Sequence, residues 1–413
     1  MNIRLFFKDS GIYAFGSIIA IFIATYQINY VTHFLSPQEY KNIGIFLATY
    51  SIFLPLVNFS QHAVLGKVLF DDSKDLKNYH ISAAFYNSVI LSVIYLFFGN
   101  LILFIFNFES QLFFIMCLAI FCALLQTFQV YIRSWLQVKR AVIRYTIILI
   151  SSQLLLLLAI VILFEFDTEY FKNRILGQVI VSFLMFITLA FTFNCFVFPR
   201  EQLMYYMRSS LKKSLQFVPH SFISAFNGNF DRFLALYFLT PAQAGMYFVY
   251  SQLSSGVFSA FQPLNNALVP RVFARISREG GEISNRFVRY YLSMIIIFIV
   301  IATLVVSYLA QIVVPYLVAP EYLKGMKAFV WLLIFQILQI GSMFTSTILT
   351  YHLNGIQISI STILSLTGYL FLLFHDYTSI NSVSFAIALV IGAALRFMYL
   401  WCATFWYSFK TMY

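Results

Sequence analysis

The sequence predicts an all-α integral membrane protein, with about 12 transmembrane helices in two six-helix bundles related by a pseudo-two-fold axis along the membrane normal. Three observations predict it. Of the 413 residues, 61% are hydrophobic and only 10% are charged, against about 25% charged in soluble chains. Apolar runs of about 20 residues, the length that crosses a bilayer, recur from one end to the other. Finally, two stretches match at a constant offset of 204 residues, half the chain. Leu35-Ser36-Pro37 recurs as Leu239-Thr240-Pro241, and Ala63-Val64-Leu65 through Lys67-Val68 recurs as Ala267-Leu268-Val269 through Arg271-Val272.

In the first half the runs fall at approximately 10–34, 43–66, 80–106, 112–132, 145–165 and 175–198. The first is too long for a signal peptide and has no small-residue cleavage site, so it stays as a helix. The second follows the turn at Leu35-Ser36-Pro37 and carries Pro55, a kink site. Runs three to six are almost wholly apolar. Three of the four cysteines, Cys117, Cys122 and Cys195, fall inside them and Cys402 in the last run, at no ligand-like spacing; they read as core thiols, with no metal site. The polar connection 199–214 lies at the midpoint and divides the chain into bundles 1–205 and 206–413. Leu203, Met204, Met207 and Leu211 fall there at helical spacing beside basic residues, which predicts a short surface helix.

The second half repeats the plan at approximately 215–239, 244–267, 289–314, 327–350, 356–375 and 381–407. Six runs precede each repeat, an even number, so both halves enter the membrane in the same orientation. Parallel repeats of this kind are the layout of transporters whose bundles rock about a central cavity.

Nineteen of the 26 Lys and Arg residues fall on the side of the termini and five on the other, with Arg232 and Arg396 inside runs. The positive-inside rule makes both termini cytoplasmic. The net charge of +11 is therefore a topology signal first, with attraction to membrane lipids second and no nucleic-acid partner.

Candidate functional residues lie on matched faces. Ser251, Ser255, Ser259, Gln262 and Asn266 share one face of the eighth run, at about 100° per residue. At the same register the second run presents Leu47, Ser51, Pro55, Asn58 and His62. Such faces either bond neighbouring helices or line a lumen; similar polarity on both halves favours a lumen. The seventh run adds His220, Ser224, Asn227 and Asp231, where the first run has Gly16, Ala20, Ile23 and Gln27.

Asp231 is the one acid of fifteen well inside a run. A carboxylate there costs at least about 2.5 kcal/mol and needs a partner, a proton or water. Arg396, mid-way along the last run, is the candidate partner; Arg232 points about 100° away on the helix. A fixed clamp, a binding role for substrate or cation, and outward snorkelling of Asp231 or Arg232 all remain open. Lys67 and Arg271 are equivalent under the repeat. They are either phosphate-binding bases at an inner mouth or interfacial anchors.

Enzymatic chemistry and ATP hydrolysis find no support. The sequence has no glycine-rich phosphate loop ending in Lys-Ser or Lys-Thr, and no catalytic constellation in its loops.

Asn229-Phe230-Asp231-Arg232-Phe233-Leu234, followed by Leu239-Thr240-Pro241, Gly245 and Tyr247, resembles the seventh span and following turn of the polysaccharide-exporter branch of the superfamily that also contains the MATE drug exporters. Ala267-Leu268-Val269-Pro270 is similar to the end of that family's eighth span, and Leu35-Ser36-Pro37-Gln38-Glu39-Tyr40 to its first loop. Lys41 stands where the family usually has Gly.

The resemblance implies a Wzx-type flippase of the bacterial inner membrane. Its substrate would be an undecaprenyl-diphosphate-linked oligosaccharide for O-antigen or a related surface glycan, and its partners other glycan-assembly membrane proteins. It implies no cofactor, with coupling to H+ or Na+ undetermined. The alternatives are a cation-coupled MATE-like multidrug exporter and a membrane-embedded glycan polymerase or transferase. A polymerase would need a large extracytoplasmic loop, and the connections on that side, Glu165 to Arg174 among them, do not exceed about a dozen residues.

Overall fold

Twelve α-helices and one 3-10 turn, with further helical residues at 61–62, 64–65 and 229–238, follow one another among the residues described by the computed structural model, with no strand among them. Those residues are 3–62, 64–65, 76–105, 110–139, 141–166, 168–194, 197, 201–215, 229–278, 285–351, 355–375 and 380–410. The helices are α1 (Ile3–Thr32), α2 (Pro37–Asn58), α3 (Lys77–Ile105), α4 (Ser110–Val138), α5 (Val142–Phe166), α6 (Tyr170–Phe193) and α7 (Glu201–Ser214). They continue with α8 (Pro241–Arg278), α9 (Asn285–Leu317), the 3-10 turn Pro320–Gly325, α10 (Met326–Tyr351), α11 (Gly355–His375) and α12 (Ser382–Lys410).

Ten of these helices are long and apolar enough to cross a membrane. The seventh predicted run is helical at 229–238, and most of the rest of it lies outside the described residues. The eighth, α8, is continuous, but the Ser, Gln and Asn residues of its stripe lower its mean hydropathy. The expected surface helix at the midpoint is α7. It buries Leu203, Ser210 and Ser214 on one side, and Glu201 in its first turn and Lys212 and Lys213 in its last complement the helix dipole.

The repeat survives into local geometry. At the start of α2 the Ser36 amide and hydroxyl donate to Glu39 Oε2 at 3.0 and 2.8 Å, and the Glu39 amide donates back to Ser36 Oγ at 3.4 Å. At the start of α8, Thr240 N–H donates to Gln243 Oε1 and Gln243 N–H to Thr240 Oγ1, both at 3.3 Å. These are capping boxes, each with Pro at the first helical position and each satisfying two orphan donors. They stand 204 residues apart.

Two compact units form, Asn42–Phe233 and Met1–Lys41 with Leu234–Tyr413. The packing thus groups α1 with the second half of the sequence: α1 lies on α8 and α9. Residues 229–233 of the seventh run group with the first half.

In the first of these units, Phe46 of α2, Ile115, Ala119 and Cys122 of α4 and Ile175 of α6 form a closed apolar core. In the other, α8, α9 and α10 bury Val272, Ile276, Val288, Leu292, Ile295, Ile340, Phe344 and Ile348, with Trp401 and Phe405 of α12 packed against them. α11 and α12 approach closely enough that a Cβ on Gly392 would lie 2.7 Å from the carbonyl oxygen of Ser365. Small residues permit such backbone contact where lipid offers no hydrophobic drive for association.

Candidate functional site

α2 stops short of its predicted end. Phe59 and Ser60 adopt left-handed φ of 51° and 57°, and helix resumes at 61–62 and 64–65. Two consecutive non-glycine residues in that region are strained, at about 1–3 kcal/mol each, and persist only where the surroundings over-determine them.

The surroundings are a buried polar network. Asn58 Oδ1 accepts from the His62 amide at 3.1 Å and faces His62 Nδ1 at 3.2 Å, capping the resumed helix. The Asn58 carbonyl accepts from Tyr131 Oη of α4, which also bonds Ser88 Oγ of α3 at 2.8 Å. Gln61 is fully enclosed. Its amide NH2 donates to the Asn58 and Ala84 carbonyls, and its Oε1 accepts from Asn87 Nδ2 of α3 at 3.0 Å and Ser210 Oγ of α7 at 2.9 Å. Asn87 Nδ2 also donates to the Met207 carbonyl at 3.1 Å.

Asn58 and His62, expected on a lumen face, thus sit in this network, with Asn58 buried and His62 half-buried. Gln61, Asn87, Tyr131 and Ser210 were not singled out from sequence. A buried Gln one residue before His62 was the available signal.

The α8 stripe grades from inside to outside. Ser251 is buried, Ser255 half-buried, and Ser259 and Gln262 exposed. Ser255 Oγ donates to the Gln252 carbonyl at 2.7 Å and Ser259 Oγ to the Ser255 carbonyl at 3.0 Å. Both hydroxyls therefore spend their protons on their own helix rather than on a neighbouring one. Asn266 and Arg271 lie on α8 with side chains outside the described residues, and Lys67, His220 and Asn227 lie outside them altogether.

Gln27 and Asp231, equivalent under the repeat, are both buried, at 4% and 8% exposure, while Arg232 is half-buried. They fall in different units.

Arg396 sits in mid-α12 and donates from Nη1 to Gln339 Oε1 of α10 at 2.8 Å. Its Nε is buried without an acceptor, and among the described residues no carboxylate forms an ion pair with it. Gln339 is neutral, so it orients the guanidinium without cancelling its charge. One turn along α12, Tyr399 Oη bonds Gln357 of α11. α12 therefore carries polar groups towards both α10 and α11. A cation inside a span is costly unless an anion or water completes it, so this arrangement suits an anionic group.

Architecture and composition together define a multi-pass integral membrane protein of all-α type. Its fold is that of the MATE transporters. The chain is similar to an inward-facing multidrug resistance MATE family transporter of the MOP superfamily, with TM-score 0.63, 14% identity, and 97% of this chain and 94% of that one covered. An outward-facing one gives TM-score 0.59 at 15% identity, over 98% and 96%. A eukaryotic MATE transporter gives 0.61 at 12% identity, over 99% of each chain. In sequence the chain is 22% identical over 380 residues to an uncharacterized membrane protein of Haemophilus influenzae, covering 88% of each. No family model matches it.

Proposed function

We propose that the chain is a flippase. It moves an undecaprenyl-diphosphate-linked oligosaccharide, an O-antigen unit or related surface glycan, from the cytoplasmic to the outer leaflet of the inner membrane by alternating access. The MATE-type fold supports membrane transport as the class. The observation that carries the cargo is Arg396, a half-buried guanidinium with an enclosed Nε, held by a neutral Gln339 that leaves its charge to offer. A diphosphate supplies the missing anion and matches the planar donor fork of Arg. The graded stripe on α8, ending in exposed Ser259 and Gln262, offers hydroxyl and amide partners for sugar.

Moving two negative charges outward across an inside-negative membrane is downhill by about 2.3 kcal/mol per charge per 100 mV. The potential therefore assists without ATP. Both termini are then cytoplasmic, and membrane lipids and other glycan-assembly proteins are the partners.

Deletion of the gene with measurement of surface glycan tests the reading; normal display in a strain with no redundant exporter refutes it. A cation-coupled drug exporter is the second reading, favoured by the buried carboxylate of Asp231. Asp231→Asn separates the two. A drug exporter loses transport of its cationic cargo, whereas a potential-driven flippase keeps glycan export.

A further inference from the structure

The inner face of α7 is accounted for by the Gln61 network; its outer face is not. Met204, Tyr205 and Leu215 expose 48%, 69% and 59% of their surface. On the same side stand the exposed Arg208 and Lys212, with exposed Lys213 on the flank. The helix dipole accounts for bases in the last turn, but not for Arg208 nor for large apolar side chains between the charges.

The depth of α7 is fixed by its neighbours. It lies along the first turns of α3, with Tyr206 against Tyr79 and His80 at ring distances of 5.8 and 4.6 Å, and Met207 and Ser210 reaching the level of Asn87. At this level α3 begins while α4 and α6 end. Lys77 Nζ stands 4.3 Å above the Trp135 ring and donates to the carbonyl of Phe193. A Lys on a Trp at helix ends marks the membrane–water interface, where aromatic rings and basic heads collect.

We infer that the outer face of α7 is a docking surface for anionic phospholipid headgroups, with Arg208, Lys212 and Lys213 on the phosphates and Met204, Tyr205 and Leu215 in the acyl boundary. Charge and apolarity alternate on one face as an interfacial helix requires. Because Ser210 on the opposite side bonds Gln61 next to the α2 break, the headgroup contact and that break share one rigid element. The inference does not depend on what the protein transports.

The test uses the full chain with its four native cysteines replaced, in vesicles of phosphatidylcholine containing a minor fraction of phosphatidylglycerol. A fluorophore is placed by Tyr205→Cys, or by Phe166→Cys at the far end of α5. Energy transfer to headgroup-labelled phosphatidylglycerol is compared with transfer to headgroup-labelled phosphatidylcholine. Each base near an anionic surface favours the charged lipid by roughly fivefold, so enrichment is expected at 205 and not at 166. Arg208→Gln, Lys212→Gln and Lys213→Gln together should bring the ratio at 205 down to that at 166. The substituted side chains are exposed, and an unchanged melting temperature verifies the fold. Equal ratios at 205 and 166, or a ratio at 205 that survives neutralisation, overturn the inference.

Discussion

A Cβ on Gly245 would stand 1.6 Å from the carbonyl oxygen of Pro37. The starts of α2 and α8, equivalent helices of the two repeats, therefore meet backbone to backbone. Around this contact Tyr322 Oη donates to the Leu35 carbonyl at 2.7 Å, and Tyr250 Oη donates to the Tyr322 carbonyl at 2.8 Å. Thr32 Oγ1 accepts from the Ala319 amide, and Asn29 Nδ2 donates to the Tyr316 carbonyl. The α1–α2 turn is thus clasped by α8 and the 3-10 turn. Lys41, the repeat mate of Gly245, is half-buried.

Gly245→Ala should destabilise the protein although Ala is the better helix former by about 1 kcal/mol. The clash is with backbone, which cannot rotate away, so the expected loss exceeds the about 1–3 kcal/mol of ordinary overpacking. Melting in detergent checks it. Gly11→Ala, where a Cβ meets nothing within 4 Å, is the control and should not lower the midpoint.

The paired capping boxes predict paired costs. Ser36→Ala and Thr240→Ala should each lose about 0.5–2 kcal/mol. Because the two helix starts meet backbone to backbone, the cost of the double variant should depart from the sum of the singles. Thermal unfolding of the two single variants and the double variant measures this.

Tyr131→Phe removes one hydroxyl from the network at the α2 break. It leaves the Asn58 carbonyl and Ser88 each short of a bond, at about 1–3 kcal/mol. Hydrogen exchange of residues 58–62 should rise more than that of α12, because the strained φ values there depend on the network. Uniform change across the chain would argue against that dependence.

Arg396→Ala should abolish export while protein levels in the membrane stay usable. Gln339→Leu, which leaves Nη1 without its acceptor, should reduce export less, because the charge remains. Surface-glycan display with immunoblotting checks both. Unchanged export in Arg396→Ala would make Arg396 dispensable.

Cysteines at 251, 255, 259 and 262, in a chain lacking Cys117, Cys122, Cys195 and Cys402, should label with a water-soluble maleimide in a graded series. Positions 259 and 262 should react fastest, 255 more slowly, and 251 least. If all four stay inert with and without a driving potential, the stripe does not face water.

Much of the architecture was legible without coordinates because lipid imposes it. Every apolar run long enough to span must close its backbone bonds internally as a helix, so α3 to α6 and α9 to α12 appear within about six residues of their predicted limits, while α1 starts seven residues early, α2 ends eight short and α8 runs eleven further. The offset of 204 residues correctly marked equivalent helix starts, since Ser-Pro-x-Glu and Thr-Pro-x-Gln encode their caps in four residues. The amphipathic α7 was equally local.

What the tertiary structure alone decided is partnership. From sequence Arg396 was a candidate partner for Asp231; its observed hydrogen-bond partner is Gln339, an amide on α10 that packing places 2.8 Å away. Asn58 and His62 looked like a lumen face from their spacing. The break after Asn58 turned them into a cap within a network whose other members, Gln61, Asn87, Tyr131 and Ser210, come from four separate segments. α1 packs with the second half of the chain although it opens the first. Helix formation is a local property that composition and period determine. Which polar groups pair inside a bundle is set by long-range packing, because buried donors bond whatever acceptor the fold brings near.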